Sequence, residues 1–125
     1  MKRKGITAPG AVSVGPYSHA AEIDGFVYLS GQTPMDSVTG KLVKGDIKAQ
    51  TEQSFVNLFN VLNAAGLTSD DVIKVTVFLA DMGNFAAMND IYKTKFNAPY
   101  PARSTIGVKE LPLGAMIEIE MIAKR

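Results

Sequence analysis

The sequence contains no cysteine and a single histidine, His19. Those absences exclude disulfides, thiolate nucleophiles and thiolate-rich zinc sites, and one imidazole cannot build a multi-histidine metal centre. Charge of one sign is missing too. Thirteen basic and twelve acidic side chains leave a net charge of +1, so no global field draws in nucleic acid or an anionic membrane. No apolar run is long enough to span a bilayer. The basic start Met1-Lys2-Arg3-Lys4 runs into Pro9 and Gly10 rather than into an apolar signal core, and the expected location is cytoplasmic. There is no glycine-rich loop ending in Lys-Ser or Lys-Thr, and the glycines at 10 and 15 precede a strand instead of opening a helix, so a phosphate cradle is not expected. Tyrosines and lysines are dispersed rather than interleaved in a basic stripe, which argues against an RNA-binding surface. With no repeat, linker or low-complexity tract, the 125 residues are expected to form one domain, 1–125.

What the chain does have is Pro99-Tyr100-Pro101-Ala102-Arg103-Ser104-Thr105-Ile106-Gly107-Val108. The two prolines bar a helix. Alternation after them predicts a strand with Arg103, Thr105 and Gly107 on one side and Ala102, Ser104 and Ile106 on the other. An arginine anchored on a sheet is suited to gripping a carboxylate through two parallel hydrogen bonds, although an ordinary ion-pairing arginine has the same spacing.

Around this strand the pattern is that of an α+β domain. Residues 18–23 and 26–32 read as a hairpin about Asp24-Gly25, a pair that tolerates the positive φ angles of a type I′ turn. Gly31 interrupts its second strand, which marks either a close approach or a bulge. Residues 8–17 and 33–45 read as loops. Asp46 is placed to cap a helix to about Ala65, with Ile47, Thr51, Phe55, Leu58, Phe59 and Leu62 inward and Gly66 as the stop. Lys48, Gln50, Glu52, Gln53, Asn57 and Asn60 are assigned to its solvated face. Residues 72–80 alternate as a strand with Ile73, Val75, Val77 and Leu79 on one face. Asn84 is expected to cap a second helix through Phe96, with Phe85, Met88, Tyr92 and Phe96 inward. A loop over 109–114 leads to a last strand from 115 to about 124.

Two such helices cover one sheet face. The uncovered face is expected to carry Arg103, Thr105, Lys74, Thr76, Glu118 and Glu120 beside Phe78 and Ile122, a mixture that suits subunit contact. If the last two strands pair antiparallel, an odd register sum sets Arg103 and Thr105 beside Glu118 and Glu120, either as a cross-strand salt bridge or as a site in which the arginine holds an acid and a glutamate directs water. His19 reads as a structural polar residue rather than a base.

Eight ordered stretches then resemble one family: Gly15-Pro16-Tyr17-Ser18-His19-Ala20, Leu29-Ser30-Gly31-Gln32, Ala65-Gly66-Leu67, Val75-Thr76-Val77-Phe78-Leu79, Asp81-Met82, Met88-Asn89, Tyr100-Pro101-Ala102-Arg103-Ser104 and Ile117-Glu118-Ile119-Glu120. End to end, the chain is similar to the reactive intermediate deaminases (Rid, YjgF-type or endoribonuclease L-PSP proteins), in the branch that keeps the arginine. The resemblance implies a chorismate-mutase-like fold and a homotrimer whose sheets close into a central barrel, with active sites between subunits. It implies hydrolysis of enamines and imines such as 2-aminoacrylate and 2-iminopropanoate to 2-keto acids and ammonia, without metal or organic cofactor. Carried over by position, Arg103 clamps the substrate carboxylate, Glu118 positions water and Tyr17 closes the pocket. Ser30, Gly31 and Asn89 line it, and the Thr105 backbone touches substrate. Thr105 departs from the pattern, since many relatives have cysteine there, and the 96–101 connection is short. The alternatives are a regulatory trimer that senses small keto or amino acids without turnover, and a ribonuclease or translation inhibitor.

Overall fold

The computed structural model describes residues 2–10 and 15–125; residues 11–14 of the loop expected over 8–17 lie outside the described residues. The chain runs β1 (Lys4–Ile6), β2 (Ala20–Ile23), β3 (Phe26–Gln32), α1 (Ile47–Ala64), β4 (Val72–Leu79), α2 (Phe85–Tyr92), β5 (Ala102–Gly107) and β6 (Ile117–Lys124). These strands form a six-stranded mixed sheet in the order β1-β2-β3-β6-β4-β5. Only the β4–β5 pair is parallel, which is what a helical crossover through α2 permits. The three-residue β1 is too short to carry an alternation and was not expected from sequence.

Local chemistry accounts for most boundaries. Asp24 and Gly25 sit at φ 54° and 79°, both left-handed, as the hairpin predicted. The Asp46 carboxylate accepts the Ala49 N–H at 3.0 Å and opens α1, and Gly66 at φ 75° ends it. Alternate residues of β3, β4 and β6 meet both helices in one core, with Val27, Leu29, Val75, Val77, Leu79, Ile117 and Ile119 packed against Phe55, Leu58, Leu62, Met88 and Tyr92. Among the described residues, no α-helix covers the opposite face. Phe26, Tyr28 and Ile106 are exposed there, beside Glu118, Glu120 and Ile122.

Four expectations are corrected. The last strand does not pair with the arginine strand: β6 inserts between β3 and β4, and β5 lies parallel to β4 at the sheet edge. Ile73 is exposed and Val72 is buried instead, because a register shift between Val72 and Lys74 interrupts the alternation. The second helix stops at Tyr92, and the Asn84 side chain makes no capping bond; Asp81 instead accepts from the Gly83 N–H at 2.8 Å one turn earlier. Gln50 and Asn57 are buried rather than solvated. Neighbouring segments fold over that flank of α1, and both amides hold them. Gln50 Oε1 accepts from the Met116 N–H at 2.9 Å, while Asn57 Nδ2 donates to the carbonyls of Thr33 at 3.2 Å and Met35 at 2.9 Å.

Removing Asn57 therefore strands two loop carbonyls at a buried site. Asn57→Ala is expected to cost about 2–3 kcal/mol in denaturant unfolding, whereas Asn60→Ala on the exposed face should stay within about 0.5 kcal/mol.

Candidate active site

Residue pairing between β4 and β5 sets Arg103 opposite Val75 and Thr105 opposite Val77. Val75 and Val77 are fully buried under the helices, so Arg103 and Thr105 share the helix-covered side. Glu118 and Glu120 pair with Phe78 and Thr76 and point to the uncovered side. The expected common face for Arg103, Thr105, Glu118 and Glu120 is thus overturned. Parallel pairing with β4, not antiparallel pairing with β6, fixes the parity of the strand.

The first group of residues is built on Arg103. Its guanidinium lies 4.5 Å from the ring centre of Tyr92 and 5.5 Å from that of Phe85, and its Nη1 donates to Asn89 Oδ1 at 2.6 Å. Both rings and the amide come from α2, so one helix face positions the cation. Tyr92 is itself held in an aromatic cluster, with ring centres 5.8 Å from Phe55 and 5.4 Å from Phe96. No carboxylate among the described residues forms a salt bridge with Arg103. Asn89, Tyr92, Lys93, Tyr100, Pro101 and Arg103 line a hollow of about 370 Å³. Burial pushes the Tyr92 phenol above its ordinary range, against the pull of the Arg103 charge, so the phenol stays protonated beside a cation.

The strand edge adds donors. Val108 donates its N–H to the Leu79 carbonyl at 2.9 Å. Because successive amides of an extended strand point in opposite directions, those of Arg103, Thr105 and Gly107 face away from β4, along the free edge of the sheet. The Thr105 hydroxyl is buried without a hydrogen-bond partner.

The second group sits on the opposite side of the sheet. Tyr17, Ser30, Gly31, Gln32, Glu118 and Glu120 line a cleft of about 540 Å³ together with Thr33, Met35, Pro112 and Leu113. Gly31 is both a bulge and a close approach. The β3–β6 register shifts between Leu29 and Gln32, and a Cβ at residue 31 would come within 2.8 Å of Glu118 Oε2. The missing side chain is what lets the Glu118 carboxylate lie across the strand. Burial raises the Glu118 pKa, and the neighbouring Glu120 charge raises it further. Ser30 Oγ donates to the Ser18 carbonyl at 2.7 Å, which leaves its lone pairs to face the cleft. Behind it, His19 is buried, and its Nδ1 accepts the Ala8 N–H at 3.0 Å, a structural role.

The model of the family described as Endoribonuclease L-PSP matches residues 6–125. The chain belongs to this family, the Rid family. It is 46% identical to a RutC family protein of Pyrococcus horikoshii over 98% of each chain. It is 45% identical to a 2-iminobutanoate/2-iminopropanoate deaminase of Dermatophagoides farinae, over 87% of this chain and 85% of that protein. Among solved structures, E. coli TdcF with bound serine superposes with a TM-score of 0.92 at 38% identity, over 98% of both chains.

Of the seven residues expected to form a site in this family member, Arg103, Asn89 and Thr105 gather on one side of the sheet and Tyr17, Ser30, Gly31 and Glu118 on the other. Sequence reasoning missed the supporting ring of Tyr92, which reads as plain helix core, and the cleft walls Met35 and Leu113, which fall in loops without periodicity. Glu118 gives a test of the local electrostatics. A carboxylate whose pKa is raised on folding favours the fold when protonated and loses that contribution as pH rises through the raised value. Glu118→Gln should therefore raise Tm at pH 7, and the gain should vanish below about pH 4, where the carboxyl is neutral in both states. Thermal unfolding of both proteins across this range is the check.

Proposed function

We propose that this protein hydrolyses small enamine and imine carboxylates, such as 2-aminoacrylate and 2-iminopropanoate, to 2-keto acids and ammonia, as a homotrimer with its sites between protomers. The observation that carries the reading is the Arg103 guanidinium, steadied by two rings and an amide yet without a carboxylate partner among the described residues. Such a cation is prepared for an anionic ligand, and its planar fork fits a carboxylate. Relatives named as 2-iminobutanoate/2-iminopropanoate deaminases support the reaction class, and the serine held by TdcF supports a small carboxylate as ligand.

In this reading Arg103 fixes the substrate carboxylate and the outward amides near Thr105 bracket it. Asn89 acts as a positioning residue, since its carbonyl oxygen is used on the arginine. The imine carbon is already electrophilic. Glu118, more basic than an ordinary glutamate, takes a proton from water as the water oxygen bonds to that carbon, and solvent water supplies the proton that turns the imine nitrogen into an amine. Glu118 then returns its proton to the amine, the C–N bond breaks to release ammonia, and the hydroxyl proton passes to the freed Glu118 carboxylate and on to solvent as the carbonyl forms, replacing the proton that solvent supplied. Ser30, with only lone pairs to offer, accepts from the nitrogen, and Tyr17 covers the cleft.

Arg103 and Glu118 lie on opposite sides of their own sheet, so the site requires the arginine half of one copy and the glutamate half of another. The free β5 edge and the uncovered mixed face support that assembly. A trimer that binds without turnover would use the same arginine, and calorimetry with 2-ketobutyrate beside a turnover assay separates the two. Net charge near zero speaks against ribonuclease action.

With 2-aminoacrylate generated in situ, the wild type should accelerate keto-acid release over solvent hydrolysis. Arg103→Lys should lower kcat/KM by about 10²-fold, because an ammonium cannot form the paired hydrogen bonds. Binding of 2-ketobutyrate without any acceleration would favour the sensor, and full activity in Arg103→Lys would remove the arginine from the site.

A further inference from the structure

The Glu118 cleft has a wall for which the hydrolysis itself has no use. Leu113 lies there with Pro112 and Met35. Leu113 is 66% exposed and sits at φ 62°, ψ 15°, a left-handed conformation that residues with a Cβ avoid. Glycine is available next door, at Gly114 with φ 74°, yet the turn places a leucine in the strained position. Exposure of an apolar side chain and strain in its backbone are both unfavourable, and residues held this way concentrate at ligand-contacting sites. The charge of the cleft is equally one-sided: among the described residues of this chain, Glu118 and Glu120 line it and no lysine or arginine does.

We propose that Leu113 is a specificity-determining residue, forming with Met35 and Pro112 an apolar wall that selects imino acids with aliphatic side chains longer than methyl and disfavours those bearing a second carboxylate. The inference rests on the imine-hydrolase reading above. Once Arg103 holds the α-carboxylate and the C=N carbon faces Glu118, the substrate side chain is the only part left to reach the remaining wall. An aliphatic group there removes Leu113 from water. A second carboxylate there meets two like charges, Glu118 and Glu120, while Arg103 is already taken up by the first. The left-handed turn aims the leucine and is kept in spite of its strain.

The test compares kcat/KM for the imine of leucine, which carries an isobutyl group, with that for 2-iminopropanoate, which carries a methyl. Both are generated in situ from the parent amino acid by an amino-acid oxidase. In Leu113→Gly and Leu113→Lys the preference for isobutyl over methyl should fall about tenfold relative to wild type, the scale of losing aliphatic contact in a pocket. Leu113→Gly should hold or raise Tm, since glycine tolerates this φ. A preference indifferent to residue 113, with both imines still hydrolysed, overturns the inference while the hydrolase reading stands. A fall in Tm together with loss of the oligomer would place Leu113 in a subunit contact and overturn it as well. If the wild type accelerates neither imine, the hydrolase reading itself fails and takes this inference with it.

Discussion

The parallel register of β5 on β4 governs where the arginine half of the candidate site stands. Pairing Arg103 with Val75 and Thr105 with Val77 turns the arginine towards the helices, where α2 meets it with Tyr92, Phe85 and Asn89. A one-residue slip would exchange Arg103 for Ser104 on that side and leave the helix facing a hydroxyl. Val75, Val77 and Leu79 are all fully buried, which fixes the side of β4 that faces the helices, and the pairing carries that side over to Arg103 and Thr105. Core packing and cation placement are therefore one constraint. The Phe55, Tyr92 and Phe96 cluster extends it, since the ring that stacks on the guanidinium is also a packing element between the helices. A partly desolvated contact of this kind contributes about 1–2 kcal/mol to holding the cation.

On the other side of the sheet, space rather than packing sets the geometry. The bulge at Gly31 and its missing side chain make room for Glu118, and the same crowding takes the carboxylate out of water and beside Glu120. The protein carries an electrostatic cost at this point that a glutamine would avoid. A raised pKa is also what makes a carboxylate a better proton acceptor at neutral pH. Strain at Leu113 is a second local cost on the same cleft. Stability is lowered at the places where chemistry is proposed, and the tightly packed helix side supplies the rigidity against which those costs are held.

Much of this was legible in the sequence, for identifiable reasons. The Asp24-Gly25 turn, the Asp46 cap and the Gly66 stop are governed by short-range backbone chemistry, and each is found where its residues predict it. The strand around Arg103 follows from alternation after Pro101. Its partner does not, because alternation reports which residues share a face of one strand and says nothing about which strand lies beside it. That single gap turned two faces into one and set Arg103 beside Glu118. The shift at Val72 and Lys74 defeated the assignment of Ile73 in the same way, since a bulge has no signature in periodicity. Gln50 and Asn57 escape the pattern because polarity predicts exposure unless a loop returns to be held, and the loop that Asn57 holds has no pattern of its own. The family resemblance nominates the candidate site residues, while their division between two sides of the sheet follows from strand pairing that alternation does not report.

That division makes the intersubunit site the central claim, and subunit mixing tests it directly. Arg103→Ala and Glu118→Ala proteins, each inactive alone, would be unfolded, combined in equal amounts and refolded together, with activity towards 2-aminoacrylate measured per protomer. Random assembly leaves one intact site in every mixed trimer, so the account predicts recovery to about one quarter of the wild-type activity. Mixed trimers that form and remain inactive would show that arginine and glutamate must come from the same chain, and would contradict the account.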